Sequence, residues 1–326
     1  QHLPRLSFKF NKAETAIRFH ITSKEEVPVK EDEKKSDQKK SDKKKIIVIY
    51  GPTWSGKTDM SIDIAKQLDT EIISTDSRQI FQELNIGTWK ITEEEKKWVF
   101  HHMIDIISAD TEYSSWAFKN ESEKIISNLH ENNKIPILCW GTGLYIDSLI
   151  FNFNIPKVPA DVSLREQLEK DAEVHGKEYI YNKLCEIDPE YAKELHPNNL
   201  RYVIRALEVK ILTWKSKRDF REEKTLKYDV LFLTPYIGNR ELLYNRINKR
   251  VKMMFDEGLI EEVKTLLETY KKSDFWMKTI GYKEVVEYLN WFLTEEECIA
   301  MVQKHNRNYA KKQLTWFRKY NNYIEQ

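Results

Sequence analysis

The chain has 326 residues, 40% hydrophobic and 12% aromatic, which is enough for one large or two modest domains with a packed core. Its formal net charge of +1 excludes no class of partner, because overall neutrality can hide basic faces. Cys139, Cys185 and Cys298 are scattered without a C-x-x-C pair, which argues against a disulfide framework or a zinc site and for a reducing compartment. No apolar run approaches the length of a membrane span, so we expect no membrane partner.

Residues 1–45 differ in composition from the rest of the chain. The segment Lys24–Lys45 is almost entirely charged and polar, and such a segment cannot bury enough apolar surface to fold. We therefore predict a disordered or weakly ordered charged extension over 1–45. Ahead of the charged run, LSFKF and AIRFHI are compatible with a short strand pair or with a targeting remnant.

The first predicted element of the ordered part is a strand, loop and helix that together form a phosphate-binding motif. Ile46–Tyr50 is an apolar run typical of a buried parallel strand, and a helical apolar pattern begins at Met60. The loop between them, GPTWSGKT, fits the P-loop pattern, in which backbone N–H groups and a helix N-terminus bind anions. Lys57 adds a positive charge, and the Thr58 hydroxyl can hold Mg²⁺. The candidate phosphate-binding residues are Gly51, Pro52, Thr53, Trp54, Ser55, Gly56, Lys57 and Thr58. The loop alone does not say which polyphosphate it binds.

A carboxylate, Asp76, follows the second predicted strand, Ile72-Ile73. The later strands in 134–145 and 228–235 have no acid at their ends. Because the carboxyl ends of parallel strands converge on one ligand crevice, we expect Asp76 to face the phosphate loop. It is either a metal-holding acid, as in small kinases, or a general base beside the phosphates, and the motif leaves both open.

Six further motifs follow in order along the chain. They are HHMIDI (101–106), YSSWAF (113–118), GTGLYI (141–146), HPNNLRYVIRALEV (196–209), TIGYKE (279–284) and NYAKKQLTWFRKY (308–320). Together with GPTWSGKT and DSRQ, this ordered set resembles the tRNA dimethylallyltransferases, also called tRNA isopentenyltransferases, over about residues 46 to 320. The chain ends without the zinc module that some eukaryotic members carry, which favours the bacterial type and a cytoplasmic enzyme.

The resemblance implies a specific reaction. A dimethylallyl group passes from dimethylallyl diphosphate to N6 of the adenosine at position 37, beside the anticodon, in tRNAs that read codons beginning with U. The loop would then hold the diphosphate of an isoprenoid, with no ATP hydrolysis. Asp76 would be the general base, while Lys57, Thr58 with Mg²⁺ and the loop amides would stabilise the leaving diphosphate.

The resemblance also implies a diphosphate-binding arginine in the segment RINKRVKMM (246–254). Arg246 and Arg250 are four residues apart and so share one helix face, beside an apolar stripe that places them at the edge of a core. We favour Arg250 for this role, with Arg246 second. An ordinary solvated arginine pair is the alternative.

Several residues match positions at which the family contacts tRNA. These are Asp76, Ser77, Arg78 and Gln79 in DSRQ, then Thr142, then Arg201, Tyr202, Val203, Ile204 and Arg205, with Arg165 as a weaker candidate for which a surface salt bridge is the alternative. Gln79 can offer both a donor and an acceptor to a base edge. The basic C-terminal segment, which carries Tyr309, Trp316, Phe317 and Tyr320, also suits RNA, although an amphipathic helix would look similar.

The sequence departs from the family pattern at three places. Trp54 stands where the family usually has a small residue, Cys139-Trp140 replaces a pair in which glycine is common, and Tyr202 stands where arginine is frequent. None of these changes removes a predicted catalytic residue.

The predicted fold class is α/β, a P-loop NTPase-like parallel sheet flanked by helices, with an all-helical insertion domain. The catalytic core would comprise 46–155 and 222–326. The insertion, 156–221, shows helical patterning without a convincing strand, and in the family such a domain grips the anticodon arm. Nothing in the pattern requires more than a monomer.

Two other enzyme functions and a binding function remain open on the residues. A P-loop small-molecule kinase explains the loop and Asp76 but leaves the basic aromatic tail unexplained. An adenylate isopentenyltransferase would use free AMP, ADP or ATP as the acceptor, and the retained helical domain favours tRNA instead. A non-enzymatic RNA-binding module would have no use for the loop and base together.

Overall fold

The computed structural model describes residues 5–10, 17–22, 43–152, 158, 161–220, 225–270 and 274–323. The chain divides into two compact units. The first, here the sheet unit, comprises Gln1–Ile150 and Lys227–Gln326, and the second, the helical unit, comprises Phe151–Leu226.

Two short strands lie in the N-terminal extension. β1 (Arg5–Phe10) and β2 (Ile17–Thr22) pair antiparallel, with Arg5 opposite Thr22. Of the two alternatives that the sequence left open for this stretch, the structure thus contains the strand pair. The prediction of disorder for the remainder of the extension concerns residues outside the described part of the chain, except for Lys43–Lys45.

The sheet unit is built on a five-stranded parallel sheet. Its strands are β3 (Lys45–Ile49), β4 (Ile72–Ser74), β5 (His101–His102), β6 (Ile137–Cys139) and β7 (Asp229–Leu233), in the order β5-β4-β6-β3-β7. Every pairing is parallel, and the central strands β3, β4 and β6 are buried, which explains their uninterrupted apolar runs. The predicted α/β class with a P-loop-type parallel sheet is confirmed.

Helices flank this sheet and form the helical unit. In chain order they are α1 (Lys57–Leu68), α2 (Glu93–Lys96), α3 (Ser115–Glu131), α4 (Gly143–Ile150), α5 (Val162–His175), α6 (Lys177–Ile187), α7 (Pro189–Ala192), α8 (Leu200–Thr213), α9 (Arg240–Asp256), α10 (Leu259–Thr269), α11 (Asp274–Met277), α12 (Tyr282–Leu289) and α13 (Glu295–Phe317). Polar residues of the sequence fix several helix starts: Ser114, Asn239 and Thr294 each accept a hydrogen bond from the first turn of the helix that follows. No helix in the described ranges is long and apolar enough to cross a membrane.

The helical unit packs α5, α6, α7 and α8 around an apolar core. Ile180, Leu184 and Val203 are fully buried there, with Leu168 beside them. Each such side chain contributes about 1.5–3 kcal/mol through burial, so this small unit has a core of its own. An isolated bridge between Phe151 and Leu226 joins the two ends of the unit.

The C-terminal segment completes the core of the sheet unit. Phe317 and Tyr320 are buried, and Tyr320 stacks on Phe232 at a centroid distance of 4.9 Å. The Tyr320 hydroxyl donates to Asp147 at 2.8 Å, and Lys319 forms an ion pair with the same carboxylate. The expectation that this segment's aromatic residues serve RNA is therefore wrong for Phe317 and Tyr320, because the apolar core takes up both rings.

Candidate active site

The phosphate loop lies between β3 and α1 and leaves the start of α1 open. Gly56, the N-cap residue, has a φ of 90° and no side chain with which to cap the helix. Since no side chain of the described residues caps α1, its first N–H groups are available to an anion, as in anion-binding helix termini. A Cβ at Gly51 would lie 2.8 Å from Ser55 Oγ, so the loop also needs glycine there.

Lys57 is a buried cation at this helix start. Its Nζ donates to Pro52 O at 2.6 Å. Burial, reinforced by the positive charge of nearby Arg250 and opposed by the Asp76 carboxylate, lowers the pKa of Lys57 to about 8. The amine is therefore mostly charged at neutral pH and reaches its titration point near pH 8, and an added anion would favour its charged form.

Asp76 follows β4 and presents one carboxylate oxygen to open space. Oδ1 accepts from the backbone N–H groups of Arg78 at 2.8 Å and Gln79 at 3.3 Å, which fixes the side chain. Within the described residues no hydrogen bond reaches Oδ2. The Asp76 carboxylate is thus held by the main chain and keeps one oxygen for an incoming donor.

A cavity of about 810 Å³ brings the predicted donor-site residues together. The predicted residues among its lining are Thr53, Trp54, Ser55, Gly56, Lys57, Thr58, Asp76, Gln79, Arg246 and Arg250. Ser77 and Thr142 are linked to each other beside it, since Ser77 N donates to Thr142 Oγ1 at 3.1 Å. Arg78 places its guanidinium over the Phe275 ring at 4.9 Å. One end of the sheet therefore carries the phosphate loop, a carboxylate and two arginines around a single space.

A second cleft, of about 920 Å³, runs along α13. Lys311, Lys312 and Thr315 line it and are exposed, together with Trp316. Tyr309 lines both this cleft and the cavity at the phosphate loop. A basic and aromatic surface is thus adjacent to the cavity that holds Asp76.

Arg250 occupies the centre of a polar and aromatic cluster. Its guanidinium donates to Thr53 Oγ1 at 3.0 Å and Thr88 O at 3.2 Å, and lies 5.1 and 5.0 Å from the ring centroids of Trp54 and Trp89. Its Nε is buried with no partner in the described part of the chain. Burial lowers the pKa of Arg250 to about 9, which still leaves it a cation at neutral pH.

Arg246, one turn earlier on α9, is exposed at the rim of the cavity. The expectation that both arginines lie at the edge of a core is therefore right for Arg250 and wrong for Arg246. The helix turns Arg250 towards the loop and leaves Arg246 in solvent.

Gln313 of α13, which sequence reasoning missed, links the phosphate loop to the turn after β6. Its Oε1 accepts from Thr53 N at 2.9 Å, and its Nε2 donates to Gly141 O at 3.0 Å. A Cβ at Gly141 would lie 2.2 Å from Nε2, so the glycine makes room for the amide. The only sequence signal was the position of Gln313 inside the QLTWFRKY motif.

Comparison with known proteins decides the family. A model described as IPP transferase matches residues 79–320, and one described as Isopentenyl transferase matches 44–104. The chain belongs to the IPP transferase family. It is 47% identical to the tRNA dimethylallyltransferase of Alkaliphilus oremlandii, with 85% of this chain and 90% of that protein covered. It is 42% identical to the enzyme of the same name from Caldanaerobacter subterraneus, at 85% and 89% coverage.

Solved structures agree with this family. The tRNA isopentenylpyrophosphate transferase of Bacillus halodurans is 41% identical with a TM-score of 0.62, and 85% of this chain and 87% of that chain are covered. A eukaryotic dimethylallyltransferase described as acting on tRNA is 32% identical with a TM-score of 0.72, at 84% and 70% coverage. This chain is therefore a prenyltransferase of that family, and the resemblance seen in its motifs is confirmed.

The side chain of Gln79 is not free to offer both a donor and an acceptor to a base edge, as the sequence had suggested. It is buried, and its Nε2 donates to Trp89 O at 3.1 Å, with a longer contact to Thr88 O at 3.4 Å. Its Oε1 has no partner in the described part of the chain. The donor side of the amide is thus already occupied, and the prediction that it offers both sides to a base is wrong for the donor.

The TIGYKE motif supports the loop that carries Thr88. Glu262 of α10 accepts from Ile86 N at 2.8 Å, Gly87 N at 3.2 Å and the Tyr282 hydroxyl at 2.6 Å. A Cβ at Gly87 would lie 2.2 Å from the Tyr282 ring. This part of the transferase family motif therefore holds the backbone whose carbonyl binds Arg250.

In the helical unit, α8 holds the remaining predicted tRNA contacts. Arg201 and Tyr202 are exposed on it. Val203 and Ile204 are 0% and 4% exposed, so the prediction of side-chain contacts to tRNA is wrong for these two residues. Their apolar spacing places them in the unit's core, whereas their neighbours face outward.

Arg165 and Arg205 bind one buried carboxylate. Arg165 donates twice to Glu208 at 2.9 Å, Arg205 donates to Glu208 Oε2 and also to Val158 O, and Glu208 accepts from Asp161 N at 2.8 Å. Glu208 is fully buried, and these donors hold its pKa below the usual value against the opposing effect of burial. The alternative of a salt bridge for Arg165 is thus correct, but the partner is buried rather than on the surface. The Arg205 guanidinium binds the same carboxylate, so it is not available to bind an RNA phosphate.

Proposed function

We propose that this protein transfers the dimethylallyl group of dimethylallyl diphosphate to N6 of the adenosine at position 37 in tRNAs that read codons beginning with U. The observation that carries the proposal is the single cavity in which the phosphate loop, Arg250 and Asp76 meet. The names of the relatives support tRNA as the acceptor. The protein works in this proposal as a monomer in the cytoplasm, with no membrane partner.

The phosphate loop binds the donor through its diphosphate. The first N–H groups of α1, Lys57 and Arg250, whose Nε has no hydrogen-bond partner in the part of the chain that the structure describes, all border this cavity. Negative charge grows on the diphosphate as its bond to carbon breaks. Cations and N–H groups that are already in place therefore stabilise the transition state more than the ground state. Arg246 at the rim adds long-range attraction that salt screens.

Asp76 is the general base of the proposed reaction. N6 of the adenine attacks C1 of the dimethylallyl group, the C1–O bond breaks, and the diphosphate leaves with the bonding electrons. The exocyclic amine is a poor nucleophile, and removal of its proton by Asp76 Oδ2 as the new bond forms gives a neutral product. The main-chain hydrogen bonds to Oδ1 hold the carboxylate in place for this proton transfer.

The cavity also suits Mg²⁺, although no cluster of three or more His, Cys, Asp or Glu side chains able to hold a metal exists among the described residues. Mg²⁺ commonly takes one or two protein oxygens and completes its shell with phosphate oxygens and water. The Thr58 hydroxyl at the start of α1 is an oxygen donor on the cavity wall and would hold the ion. When bound with the donor, Mg²⁺ would neutralise charge on the leaving diphosphate, while Lys57 and Arg250 hold its remaining oxygens.

The acceptor enters from the cleft along α13. An adenine must leave its stack to be modified, and Tyr309 lines the junction between this cleft and the cavity of Asp76. Lys311 and Lys312 are exposed in the cleft and supply charges for RNA phosphates. The DSRQ segment and Thr142 lie beside the same cavity, and Arg201 and Tyr202 of the helical unit, in this proposal over 156–221, contact the anticodon arm.

The test is a prenylation assay with two acceptors. The protein, dimethylallyl diphosphate and Mg²⁺ are incubated with an anticodon stem-loop carrying adenosine at position 37 or with free ADP, and products are measured by mass spectrometry. We expect a prenylated adenosine in the stem-loop, and a loss of rate of about 10²–10⁴-fold with Asp76→Asn. Prenylated ADP alone would identify an adenylate isopentenyltransferase. Phosphoryl transfer from ATP without prenylation would identify a kinase, and either result would overturn the proposal.

A further inference from the structure

Six tryptophans have a backbone conformation that normally requires glycine. The described residues include eleven non-glycine residues with positive φ, and six of these are Trp54 (67°), Trp89 (50°), Trp98 (72°), Trp140 (95°), Trp214 (60°) and Trp291 (63°). At positive φ the Cβ of an L-residue crowds its own backbone, so glycine adopts this region routinely and asparagine or aspartate occasionally. A bulky aromatic residue there is an outlier, and six in one chain need a common cause.

Two of the six stand at helix C-termini where glycine is the usual residue. Trp214 is the left-handed C-cap of α8, and its N–H bonds to Lys210 O at 2.9 Å. Trp291 directly follows the C-cap of α12, and its N–H bonds to Tyr288 O at 2.9 Å. Helices commonly end on a left-handed glycine because it permits such closing hydrogen bonds without strain. The backbone at both positions is therefore that of a glycine helix stop.

The indole rings do not explain why tryptophan occupies these positions. Trp98, Trp214 and Trp291 are 102%, 85% and 93% exposed, so their rings bury almost nothing. Trp54 Nε1 is buried and has no hydrogen-bond partner in the described part of the chain. Apolar burial therefore does not compensate the backbone conformation at the three exposed sites, and at Trp54, which packs beside Leu243 and Ile247, the indole N–H adds no hydrogen bond within the described residues.

The other tryptophans behave differently. Trp116, Trp276 and Trp316 lie within α3, α11 and α13. A Cβ at Gly143 would lie 2.2 Å from Trp316 Cδ1, so the fold has a space shaped for this indole. The fold therefore accommodates a tryptophan side chain at position 316.

The low glycine content of the chain is consistent with glycine positions being occupied by tryptophan. The chain has 9 glycines in 326 residues and 9 tryptophans. Average glycine usage of about 7% would give about 23 glycines in a chain of this length. The chain therefore has fewer glycines than an average chain of its length, and it has tryptophan at positions whose backbone conformation is typical of glycine.

We propose that positions 54, 89, 98, 140, 214 and 291 are glycine in the protein as its own cells make it, because those cells translate the codon UGA as glycine. UGA differs from the glycine codon GGA only in its first base. A gene with UGA at these six positions and UGG at Trp316 yields the present sequence when UGA is read as tryptophan. One decoding difference thus accounts for all six outliers, whereas independent substitutions would need six separate causes.

Three of the six positions, 54, 89 and 140, line the donor cavity, a consequence that rests on the proposed function. The rings of Trp54 and Trp89 lie 5.5 Å apart and both cover the Arg250 guanidinium. With glycine at both positions the guanidinium borders the cavity without an aromatic cover. The phosphate loop then also carries glycine at a residue whose backbone faces the diphosphate.

Peptide sequencing by mass spectrometry of the protein purified from its own cells, alongside the codons of its gene, tests the proposal. We expect UGA in the gene and glycine in the peptides at the six positions, with UGG and tryptophan at Trp316. Tryptophan in the native peptides at the six positions, or UGG at them in the gene, would overturn it. This readout involves no prenylation, so it stands or fails separately from the proposed function.

A recombinant comparison gives a second measurement on folding. The chain with all six tryptophans is compared with a variant carrying the six Trp→Gly replacements, and Trp316→Gly serves as the matched control. We expect the six-glycine variant to unfold at a higher temperature and to bind dimethylallyl diphosphate more tightly, and Trp316→Gly to unfold at a lower temperature. A six-glycine variant that unfolds at a lower temperature than the original chain would contradict the proposal.

Discussion

Replacement of Arg250 by alanine should impair catalysis far more than folding. The guanidinium is buried at the phosphate loop and donates to Thr53 Oγ1 and Thr88 O, and its Nε has no hydrogen-bond partner among the described residues. A preorganised donor to a developing anion contributes about 2.7–4 kcal/mol to transition-state stabilisation, which corresponds to about 10²–10³ in kcat. We expect Arg250→Ala to lower kcat by this factor in the stem-loop prenylation assay under saturating donor.

Arg246 provides the matched control for charge. It lies one turn away on the same helix and lines the same cavity, but it is exposed. Charges exposed to solvent interact by about 0–1 kcal/mol, so Arg246→Ala should change kcat by less than about fivefold and should act mainly on KM at low salt. Both variants remove one positive charge, and only the first removes hydrogen bonds to the loop.

The comparison separates geometry from net charge. Equal losses of kcat in the two variants would refute the argument, because a buried, hydrogen-bonded guanidinium and a solvated one would then be equivalent. Arg250→Lys sharpens the test, since it keeps the charge but cannot reproduce the planar fork of donors. We expect the kcat of Arg250→Lys to be closer to that of Arg250→Ala than to that of the unchanged protein. Thermal unfolding verifies that each variant is folded.

Three further outcomes follow from the same cavity. The affinity of the free protein for dimethylallyl diphosphate should weaken by about tenfold per pH unit above pH 8, because Lys57, with a pKa of about 8, is charged below that pH and neutral above it. Equilibrium binding measured as a function of pH tests this, and an affinity that does not change with pH would contradict it. Gln313→Leu should raise KM for the donor and lower kcat together, because Thr53 N and Gly141 O both lose their partner, whereas replacement of exposed Lys312 by leucine should change only the acceptor's KM. Glu208→Leu should lower the unfolding temperature of the protein, because it leaves two guanidinium groups without their buried partner; an unchanged unfolding temperature would show that the pair contributes no stability.

The sequence predicted those parts of the site that local pattern determines. The apolar run at Ile47, the glycines of the loop and the acid after the second strand are close to one another in the chain, and parallel-sheet geometry converts that spacing into proximity. Arg250 was found through the resemblance to the family, because the helix face that it shares with Arg246 left a solvated arginine pair equally open. Its burial was not predictable, because it depends on Thr53 and Thr88, which lie far away in sequence.

The misassigned residues show where motif matching fails. Val203 and Ile204 fall inside a motif that matches a tRNA-contacting segment, and the match gave every residue of the segment the same role. The apolar spacing of α8 was itself sufficient to place these two inside the unit, because they share a face with Leu207. The role of Arg205 depends instead on a buried carboxylate, Glu208, whose burial no periodicity reveals.

The phosphate loop owes its conformation to more than its glycines. Thr53 forms hydrogen bonds to two distant helices. Its backbone N–H donates to Gln313 of α13, and its hydroxyl oxygen accepts from Arg250 of α9. Gln313 also binds Gly141, and the neighbouring Thr142 holds Ser77 beside Asp76. Hydrogen bonds, together with the peptide bonds that join Gly141 to Thr142 and Asp76 to Ser77, therefore connect the residues that would bind the leaving diphosphate to the residue that would accept the proton. This is why the C-terminal helix belongs to the reaction site although it carries neither the phosphate loop nor the base.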